Sequence, residues 1–248
     1  MIDLARDLLR EASAVTVLTG AGISTDSGIP DFRGPNGLWL HDEMARKASH
    51  ISTYRSSGSV REENWRRRAS GDLWATVAPN AGHRALVALE RQGKLEALIT
   101  QNVDELHQQA GSDPAKVLEV HGTTRRAACL DCDYNVDMDA VLDRVRRGER
   151  DPDCPVCGGI LKSATVSFGQ SLDGDLLRRA HLAAERCDVF LAVGSSLTVF
   201  PINETVRAAH DSGASVVILN AEPTPFDDIA TVVLHRGISE TLPTLVGS

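Results

Sequence analysis

The sequence predicts an α/β fold in which helices cover both faces of a doubly wound parallel sheet. Two observations carry this prediction. Short, nearly continuous apolar segments alternate with helical patterns along most of the 248 residues, and strands buried on both faces of a parallel sheet have this composition. A glycine turn, Gly20-Ala21-Gly22, directly follows the first apolar segment, as expected where a strand leads into a phosphate-binding loop.

The predicted elements follow one another from the N-terminus. The first stretch, MIDLARDLLREA, has the pattern of an amphipathic helix, and residues 14–19 form the first apolar, β-branched segment. The further strand candidates are 95–100, 117–121, 188–193, 215–219 and 231–234, and the further helix candidates are 80–92, 102–110, 173–186, 199–211 and 237–246. Two stretches interrupt the alternation. Residues 40–78 are polar, helical in pattern and rich in Arg, and residues 122–167 carry paired cysteines.

Composition and charge argue against several classes of protein. A hydrophobic content of 42% is sufficient for one large core or two modest ones. The formal charge of -8 and the pI near 5.5 argue against a general nucleic-acid binder. No apolar run approaches the ~20 residues of a membrane span, and the N-terminal stretch lacks the features of a signal peptide. We therefore expect a cytoplasmic protein that binds neither nucleic acid nor membrane, and whose thiols are reduced.

Two closely spaced cysteine pairs, Cys129-x-x-Cys132 and Cys154-x-x-Cys157, predict a metal site. A spacer of two residues lets both thiolates of a pair face one ion, and two such pairs complete a tetrahedral Zn²⁺ site. Because four thiolates leave no open coordination position, we expect one structural zinc ion per chain. The remaining cysteine, Cys187, precedes a predicted strand and is expected to be a small core residue.

Polar residues follow predicted strands at the edge where open α/β sheets bind their ligands. Gln101, Asn102 and Asp104 come directly after 95–100, and His121 ends the segment 117–121. Taken singly, Asn102 and Asp104 could be helix caps and His121 a core histidine. Together with the glycine turn they indicate a nucleotide site. A histidine there suits a general base because its ordinary pKa is about 6.5.

Distinctive motifs occur in a fixed order from about residue 10 to the C-terminus: GAGISTDSGIPDFR, TQNVDELH, EVHG, the paired CxxC knuckles, SFGQSL, GSSLTVFP and ILNAEPTP. They resemble the motifs of the sirtuins, which are NAD-dependent protein lysine deacylases. The resemblance implies a Rossmann-like NAD-binding domain formed by residues 1–39, 79–121 and 168–248. It also implies a small domain that combines a helical insertion, 40–78, with a zinc ribbon, 122–167. Substrate and cofactor would enter the cleft between the two domains.

The resemblance also implies which residues perform the reaction and which bind the cofactor NAD. His121 and Asn102 would be the catalytic residues, with His121 as the general base. The expected NAD contacts are Gly20, Ala21, Gly22, Ile23, Ser24, Asp31, Phe32, Arg33, Trp39, Gln101, Asn102, Val103, Asp104, His121, Gly194, Ser195, Ser196, Asn220, Ala221, Glu222 and Ile238. An acyl-lysine peptide would lie between 166–169 and 196–199, adding a strand to two exposed edges. Its expected contacts are Val166, Phe168, Gly169, Leu197 and Val199.

The implied activity is NAD-dependent removal of acetyl, or another neutral acyl group, from lysine side chains of proteins. Its products would be nicotinamide and O-acetyl-ADP-ribose. We expect neutral acyl groups to be preferred, because sirtuins that remove acidic ones resemble one another in a tyrosine and an arginine three residues apart. The best match here is Trp65 and Arg68. Two alternatives are an NAD hydrolase or mono-ADP-ribosyltransferase, and an NAD sensor without turnover; the presence of His121, Asn102 and Asp104 argues against the sensor.

Some positions depart from the family's commonest pattern. Glu105 stands where glycine is frequent, Ser163 where proline is frequent, and Gln170 where glutamate is frequent. None of them is a predicted catalytic position. Because Ser163 and Gln170 border the expected peptide groove, they concern substrate preference and not the reaction.

Overall fold

The computed structural model describes residues 1–31, 37, 41–71 and 77–247 of the chain. The strands are β1 Val15–Thr19, β2 Leu95–Thr100, β3 Val117–Glu119, β4 Gly122–Cys129, β5 Asn135–Asp137, β6 Leu161–Thr165, β7 Val189–Val193, β8 Ser215–Leu219 and β9 Val232–Leu234. In this described part of the chain, six of them form a parallel sheet in the order β3-β2-β1-β7-β8-β9. The strand order reverses between β1 and β7, which is the point where open α/β sheets bind ligands.

Helices cover both faces of this sheet, so the predicted doubly wound fold is confirmed. The helices are α1 Ile2–Glu11, α2 Glu43–Ala48, α3 Ile51–Ser56, α4 Gly58–Ala69, α5 Ala81–Arg91, α6 Leu106–Ala110, α7 Met138–Arg146, α8 Gly174–Arg186, α9 Glu204–Asp211 and α10 Ile238–Val246, with a 3-10 helix at Ala21–Ser27. Successive strand residues face opposite sides: Val17 packs with α1, α5 and α10, whereas Leu18 packs with α8 and α9. Cys187 belongs to the second layer, as predicted. Within the described ranges, no helix combines the length and apolar character that crossing a bilayer requires.

A second, antiparallel sheet is formed by β5, β4 and β6 in that order. Its core contains Ala127 and Leu161 of the sheet, apolar residues of α7, and Trp65 of α4, whose side chain is fully buried. The indole of Trp65 therefore ties the polar stretch 40–78 to the stretch that carries the cysteines. The division of the chain into the two expected domains stays a prediction.

Helices α6 and α9 begin later than their sequence patterns indicate. The helix predicted over 102–110 begins at Leu106, and the helix predicted over 199–211 begins at Glu204. At α6 the reason is local, because the carboxylate of Asp104 accepts the Leu106 N–H in a turn that precedes the helix, and the N-cap Glu105 has a left-handed backbone. Such side-chain bonds compete with helical ones. The residues directly after β2 and β7 therefore stay in loops at the edge of the sheet.

Candidate functional site

A large cleft opens at the carboxyl ends of β1, β2 and β7 and extends toward the antiparallel sheet. Its volume is about 1910 Å³. The predicted nucleotide contacts that line it are Gly20, Ala21, Gly22, Asp31, Gln101, Asn102, Val103, Asp104, His121, Gly194, Ser195, Ser196, Asn220, Ala221, Glu222 and Ile238. Segments far apart in sequence thus meet at the switch point of the parallel sheet, where the sequence places its polar strand ends.

The glycine turn after β1 packs against the loop after β7 at backbone distance. Gly20 N donates to the Val193 carbonyl at 3.0 Å, and Gly22 N donates to the Gly194 carbonyl at 2.8 Å. A Cβ atom on Gly20 would lie 2.7 Å from the Gly194 carbonyl oxygen, and one on Gly22 would lie 2.8 Å from the Gly194 Cα. Gly194 has φ +62, in the left-handed region that favours glycine. Packing therefore excludes side chains at these positions, so the backbone itself lines the cleft floor, where phosphate groups bind in such folds.

Ser24, Asn102 and Asp104 form a buried cluster beside the glycine turn. Ser24 Oγ donates to Asp104 Oδ2 at 2.8 Å, and Asn102 Nδ2 donates to Ser24 Oγ at 3.1 Å. Burial raises the pKa of Asp104, although the hydrogen bonds from Leu106 N and Ser24 Oγ act in the opposite direction. Asn102 and Asp104 are each less than a tenth exposed and still line the cleft. The cluster therefore holds an amide and a carboxyl group in fixed orientations at the cleft floor.

His121 lies on the wall of the same cleft with one ring nitrogen fixed. Its Nδ1 lies 3.1 Å from the backbone carbonyl oxygen of Gln101. Because a carbonyl only accepts, Nδ1 carries the proton of the neutral ring and Nε2 carries the lone pair. Burial lowers the pKa of His121, while the hydrogen bond to Gln101 raises it by a smaller amount. A neutral imidazole with an unprotonated Nε2 is the form that a general base needs at neutral pH.

Gln101 connects His121 to the loop after β7. Its side-chain amide donates to Ser195 Oγ at 2.9 Å, and the same oxygen accepts the Leu197 N–H at 3.2 Å. Leu197 has φ +54, and Asn203 Nδ2 donates to its carbonyl at 3.2 Å. A left-handed backbone costs an L-residue about 1–2 kcal/mol. These hydrogen bonds therefore hold the loop in a conformation that Leu197 alone disfavours.

The segments expected to bind a peptide lie on the walls of the cleft. Val166, Phe168, Gly169 and Val199 line it. Leu197 is buried and does not line the cleft. Val166 N donates to the His121 carbonyl at 2.8 Å, so this segment runs directly beside the histidine. Phe168 N donates to the Ser49 carbonyl, and the Phe168 carbonyl accepts the N–H of Ile51, the first residue of α3, so that edge of the segment is already paired.

The remaining predicted contacts fall into two groups. Ile23 and Ser24 are buried behind the cleft wall, so their part in cofactor binding would be to shape the wall. Phe32, Arg33 and Trp39 lie outside the described residues, and their roles stay predictions.

The four cysteines converge at one end of the antiparallel sheet and form a four-cysteine cluster. Cys129 Sγ lies 3.6 Å from Cys157 Sγ, Cys132 Sγ lies 3.6 Å from Cys154 Sγ, and all four sulfur atoms lie within 4.8 Å of one another. Zinc–sulfur bonds of about 2.3 Å in a tetrahedron place the sulfur atoms roughly 3.8 Å apart. A Cβ atom on Gly159 would lie 3.1 Å from Cys129 Sγ, so glycine leaves room for the ligand. The cluster fits a zinc ion.

The cleft wall formed by α3, α4 and β6 carries basic side chains whose arrangement the sequence did not reveal. Arg68 Nη2 donates to Ser163 Oγ at 3.2 Å, and Lys162 Nζ donates to the Ser163 carbonyl at 3.0 Å. Burial lowers the pKa of Lys162 to about 7, and the nearby Arg68 charge adds to this. Arg68, Lys162 and Tyr54 line the cleft, whereas Trp65 is in the core of the small sheet. Trp65, the best match to the tyrosine of sirtuins that remove acidic groups, therefore provides no counterpart of that tyrosine at the cleft.

Glu105 joins the loop after β2 to the small sheet. Thr123 Oγ1 donates to Glu105 Oε1 at 2.7 Å, and Arg125 Nε lies 3.6 Å from Glu105 Oε2. Glu105 also has φ +59, a conformation that favours glycine. The sequence marks Glu105 as unusual because glycine is frequent at this position in the family. The sequence does not indicate its two partners on β4.

Comparison with known proteins agrees with this geometry. Residues 20–201 match the model of the Sir2 family. An NAD-dependent protein deacetylase 2 of Streptomyces coelicolor is 48% identical over 94% of this chain and 96% of its own length. An NAD-dependent protein deacetylase of Rhodopseudomonas palustris is 43% identical over 98% of this chain and 94% of its own length.

Solved structures give the same result. A structure described as Sir2 bound to acetylated peptide has a TM-score of 0.87 and 34% sequence identity, and the match covers 100% of this chain and 98% of that chain. A complex described as Sir2-p53 peptide-NAD+ has a TM-score of 0.86 and 35% identity, with the same coverage. The chain belongs to the Sir2 family.

Proposed function

We propose that this protein removes acetyl groups from lysine side chains of proteins in an NAD-dependent reaction that yields nicotinamide and O-acetyl-ADP-ribose. The observation that carries the proposal is the state of His121, whose Nδ1 is bonded to the Gln101 carbonyl and whose Nε2 is left unprotonated on the cleft wall. His121 lines the same cleft as Asn102, Asp104 and the glycine turn. One cleft thus holds a base, an oriented polar pair and a phosphate-binding floor.

The cofactor fits the residues that line the floor. Gly20 and Gly22 line the floor through their backbone, and the cradle formed with Gly194 has no room for a Cβ atom. Asn220 and Glu222 line the cleft after β8, and Asn220 Nδ2 bonds to the Glu222 carbonyl at 2.8 Å, which suits contacts to the adenosine ribose. When bound, NAD supplies the ADP-ribosyl group that accepts the acetyl group as nicotinamide leaves.

In the proposed reaction, residues of the chain bind the substrates, orient the nicotinamide ribose and transfer a proton. Asn102 and Asp104, locked by Ser24, would orient the nicotinamide ribose. His121 Nε2 would take a proton from a ribose hydroxyl, while the Gln101 carbonyl keeps the ring in the required tautomer. The acyl-lysine would enter beside Val166, which is bonded to the His121 backbone. The four-cysteine cluster would bind a structural zinc ion, since four thiolates leave no position for a substrate.

The substrates are expected to be acyl-lysine segments of other proteins, bound largely through their backbone. We also expect the protein to act in the cytoplasm, because four reduced thiolates bound to zinc suit a reducing compartment. The net charge of -8 argues against nucleic acid as a partner.

The test is incubation with NAD and an acetyl-lysine peptide, followed by mass spectrometry of both. O-acetyl-ADP-ribose and free lysine in equal amounts are expected. ADP-ribose without peptide turnover would instead indicate an NAD hydrolase, and an ADP-ribosylated peptide would indicate a transferase. Binding of NAD without any product would indicate a sensor. The His121→Asn variant is the matched control, because it keeps an N–H for the Gln101 carbonyl and lacks the base.

A further inference from the structure

Two buried histidines, His83 and His107, lie beneath the cleft and have no part in the proposed reaction. Neither is more than 1% exposed, and their ring centroids are 5.0 Å apart. Among the described residues, His83 Nε2 and His107 Nδ1 have no hydrogen-bond partner. Buried polar atoms in native proteins are bonded in the great majority of cases. Two unpartnered nitrogens on neighbouring rings therefore call for a physical explanation.

The tautomer of His83 follows from its place at the start of α5. Asn80 N donates to His83 Nδ1 at 3.3 Å, and Asn80 Oδ1 accepts the Gly82 N–H at 2.9 Å, so the two side chains form a capping box. Burial lowers the pKa of His83 to about 4, so the ring is neutral at neutral pH. Because Nδ1 accepts, the single ring proton is on Nε2. The unpartnered nitrogen of His83 is a donor.

The tautomer of His107 follows from the two threonines beside it. Thr19 Oγ1 donates its proton to Thr100 Oγ1 at 2.9 Å. His107 Nε2 lies 2.9 Å from the same Thr19 oxygen, which has no second proton to give, so Nε2 must donate. Burial lowers the pKa of His107 well below its ordinary value, so Nδ1 carries a lone pair. The unpartnered nitrogen of His107 is an acceptor.

We infer that His83 Nε2–H donates a hydrogen bond to His107 Nδ1, and that this pair positions the residues proposed to hold the cofactor. The donor and the acceptor are complementary, and rings whose centroids lie 5.0 Å apart at an interplanar angle of 56° are close enough for one nitrogen of each to reach hydrogen-bond distance once the rings turn toward each other. The χ2 torsion of histidine is soft, so a small ring rotation aligns them. Both nitrogens are then satisfied by one bond.

The bond completes a continuous chain of hydrogen bonds, called the relay below, between two walls of the cleft. At one end, Thr100 Oγ1 accepts the Asn102 N–H at 3.1 Å. At the other end, Asn80 Nδ2 donates to the Ile23 carbonyl at 2.7 Å and to Ser27 Oγ at 3.0 Å. The relay therefore fixes the 3-10 helix of the glycine turn relative to Asn102. His83 and His107 act through these residues and are positioning residues; this role rests on the proposed function of Asn102.

Two substitutions remove the inferred bond and little else. His107→Gln keeps an N–H in the place of Nε2 for Thr19 and loses the acceptor at Nδ1. His83→Asn keeps an acceptor in the place of Nδ1 for Asn80 and loses the donor at Nε2. We expect each to raise the Kd for NAD roughly three- to tenfold, as for loss of one hydrogen bond, while the KM for acetyl peptide stays near that of the wild type. The double variant should be no worse than either single one, because both remove the same bond.

The control and the spectroscopic readout make the inference refutable. Ser112→Ala removes a buried hydroxyl without a partner near His107, and we expect it to leave the Kd for NAD unchanged. Long-range ¹H–¹⁵N spectra of the histidine rings should show both His83 and His107 as Nε2–H tautomers at neutral pH, with a coupling across the N–H···N bond. A Nδ1–H tautomer of His107, or additive effects of the two substitutions on Kd, would overturn the relay. The tautomers are measured without substrate, so failure of the wild type to deacetylate would refute the proposed function and leave the relay intact.

Discussion

Replacing His121 separates its proposed role as a base from any role in holding the fold. His121→Asn keeps an N–H that can bond to the Gln101 carbonyl, as Nδ1 does at 3.1 Å, and removes Nε2. His121→Ala removes both. If Nε2 is the base, the two variants lose the same fraction of activity although their stabilities differ.

The expected magnitudes follow from these contacts. Loss of a general base lowers kcat typically 10²–10⁴-fold, and we expect both variants to fall in this range. Loss of the bond to Gln101 costs His121→Ala about 1 kcal/mol, which lowers the Tm of a chain of this length by roughly 2–4 °C. The Tm of His121→Asn should lie within about 1 °C of the wild-type Tm, because this variant keeps the bond to Gln101. The Kd for NAD should change little in either.

The pH profile provides a second measurement. Burial places the pKa of His121 below its ordinary value, and protonation of Nε2 removes the base. The acid limb of kcat/KM for the wild type should therefore have its midpoint below the ordinary histidine pKa of about 6.5, and the limb should disappear in both variants. A His121→Asn protein with near-normal kcat would refute the assignment. A large fall in its Tm would show that the residue acts mainly in the fold.

Three further outcomes are expected. The protein should contain one zinc ion per chain by elemental analysis, and chelation should lower both Tm and activity because the four thiolates of the four-cysteine cluster lose their shared ligand; a metal-free protein with full activity would contradict this. In denaturant unfolding, Glu105→Ala should be about 1 kcal/mol less stable than Glu105→Gly, because alanine keeps the left-handed backbone cost that glycine lacks; equal stabilities would show that φ +59 stores no strain. On one peptide, acetyl-lysine should react faster than succinyl-lysine, and faster desuccinylation would contradict the expected neutral preference.

The parts of the fold that could be predicted are those in which one local requirement determines a run of neighbouring residues. β1, β2 and β7 are continuous apolar segments because both faces of a parallel strand are buried, and their observed bounds differ from the predicted ones by at most one residue. The four-cysteine cluster could be predicted because two-residue spacing already brings each thiolate pair together. The glycine turn has the same local character, since a turn of small residues after a strand needs no distant partner to be recognised.

The contacts within the site depend on partners far along the chain, and no local pattern specifies them. The bond from Ser24 to Asp104 joins the 3-10 helix to the loop after β2, and the tautomer of His107 follows from threonines on β1 and β2. Asp104 shows the difference clearly. Its bond to the Leu106 N–H joins neighbouring residues just before a helix, whereas its bond to Ser24 connects it to a distant segment and makes it part of the cleft.

The cleft wall that carries Arg68 still favours neutral acyl groups, although for a different reason than the sequence suggests. The expected preference for neutral acyl groups rested on Trp65 in the place of the tyrosine of sirtuins that remove acidic groups, and the structure places Trp65 in the core of the small sheet. A carboxylate taken out of water still needs several donors to replace its hydration. The three N–H groups of Lys162 already bond to oxygen atoms of β6, and the Tyr54 hydroxyl donates to a carbonyl of the same strand. Arg68 Nε and Nη2 bond to Asn64 and Ser163, and the remaining N–H groups of one guanidinium are a poor substitute for the water that a succinyl group would lose.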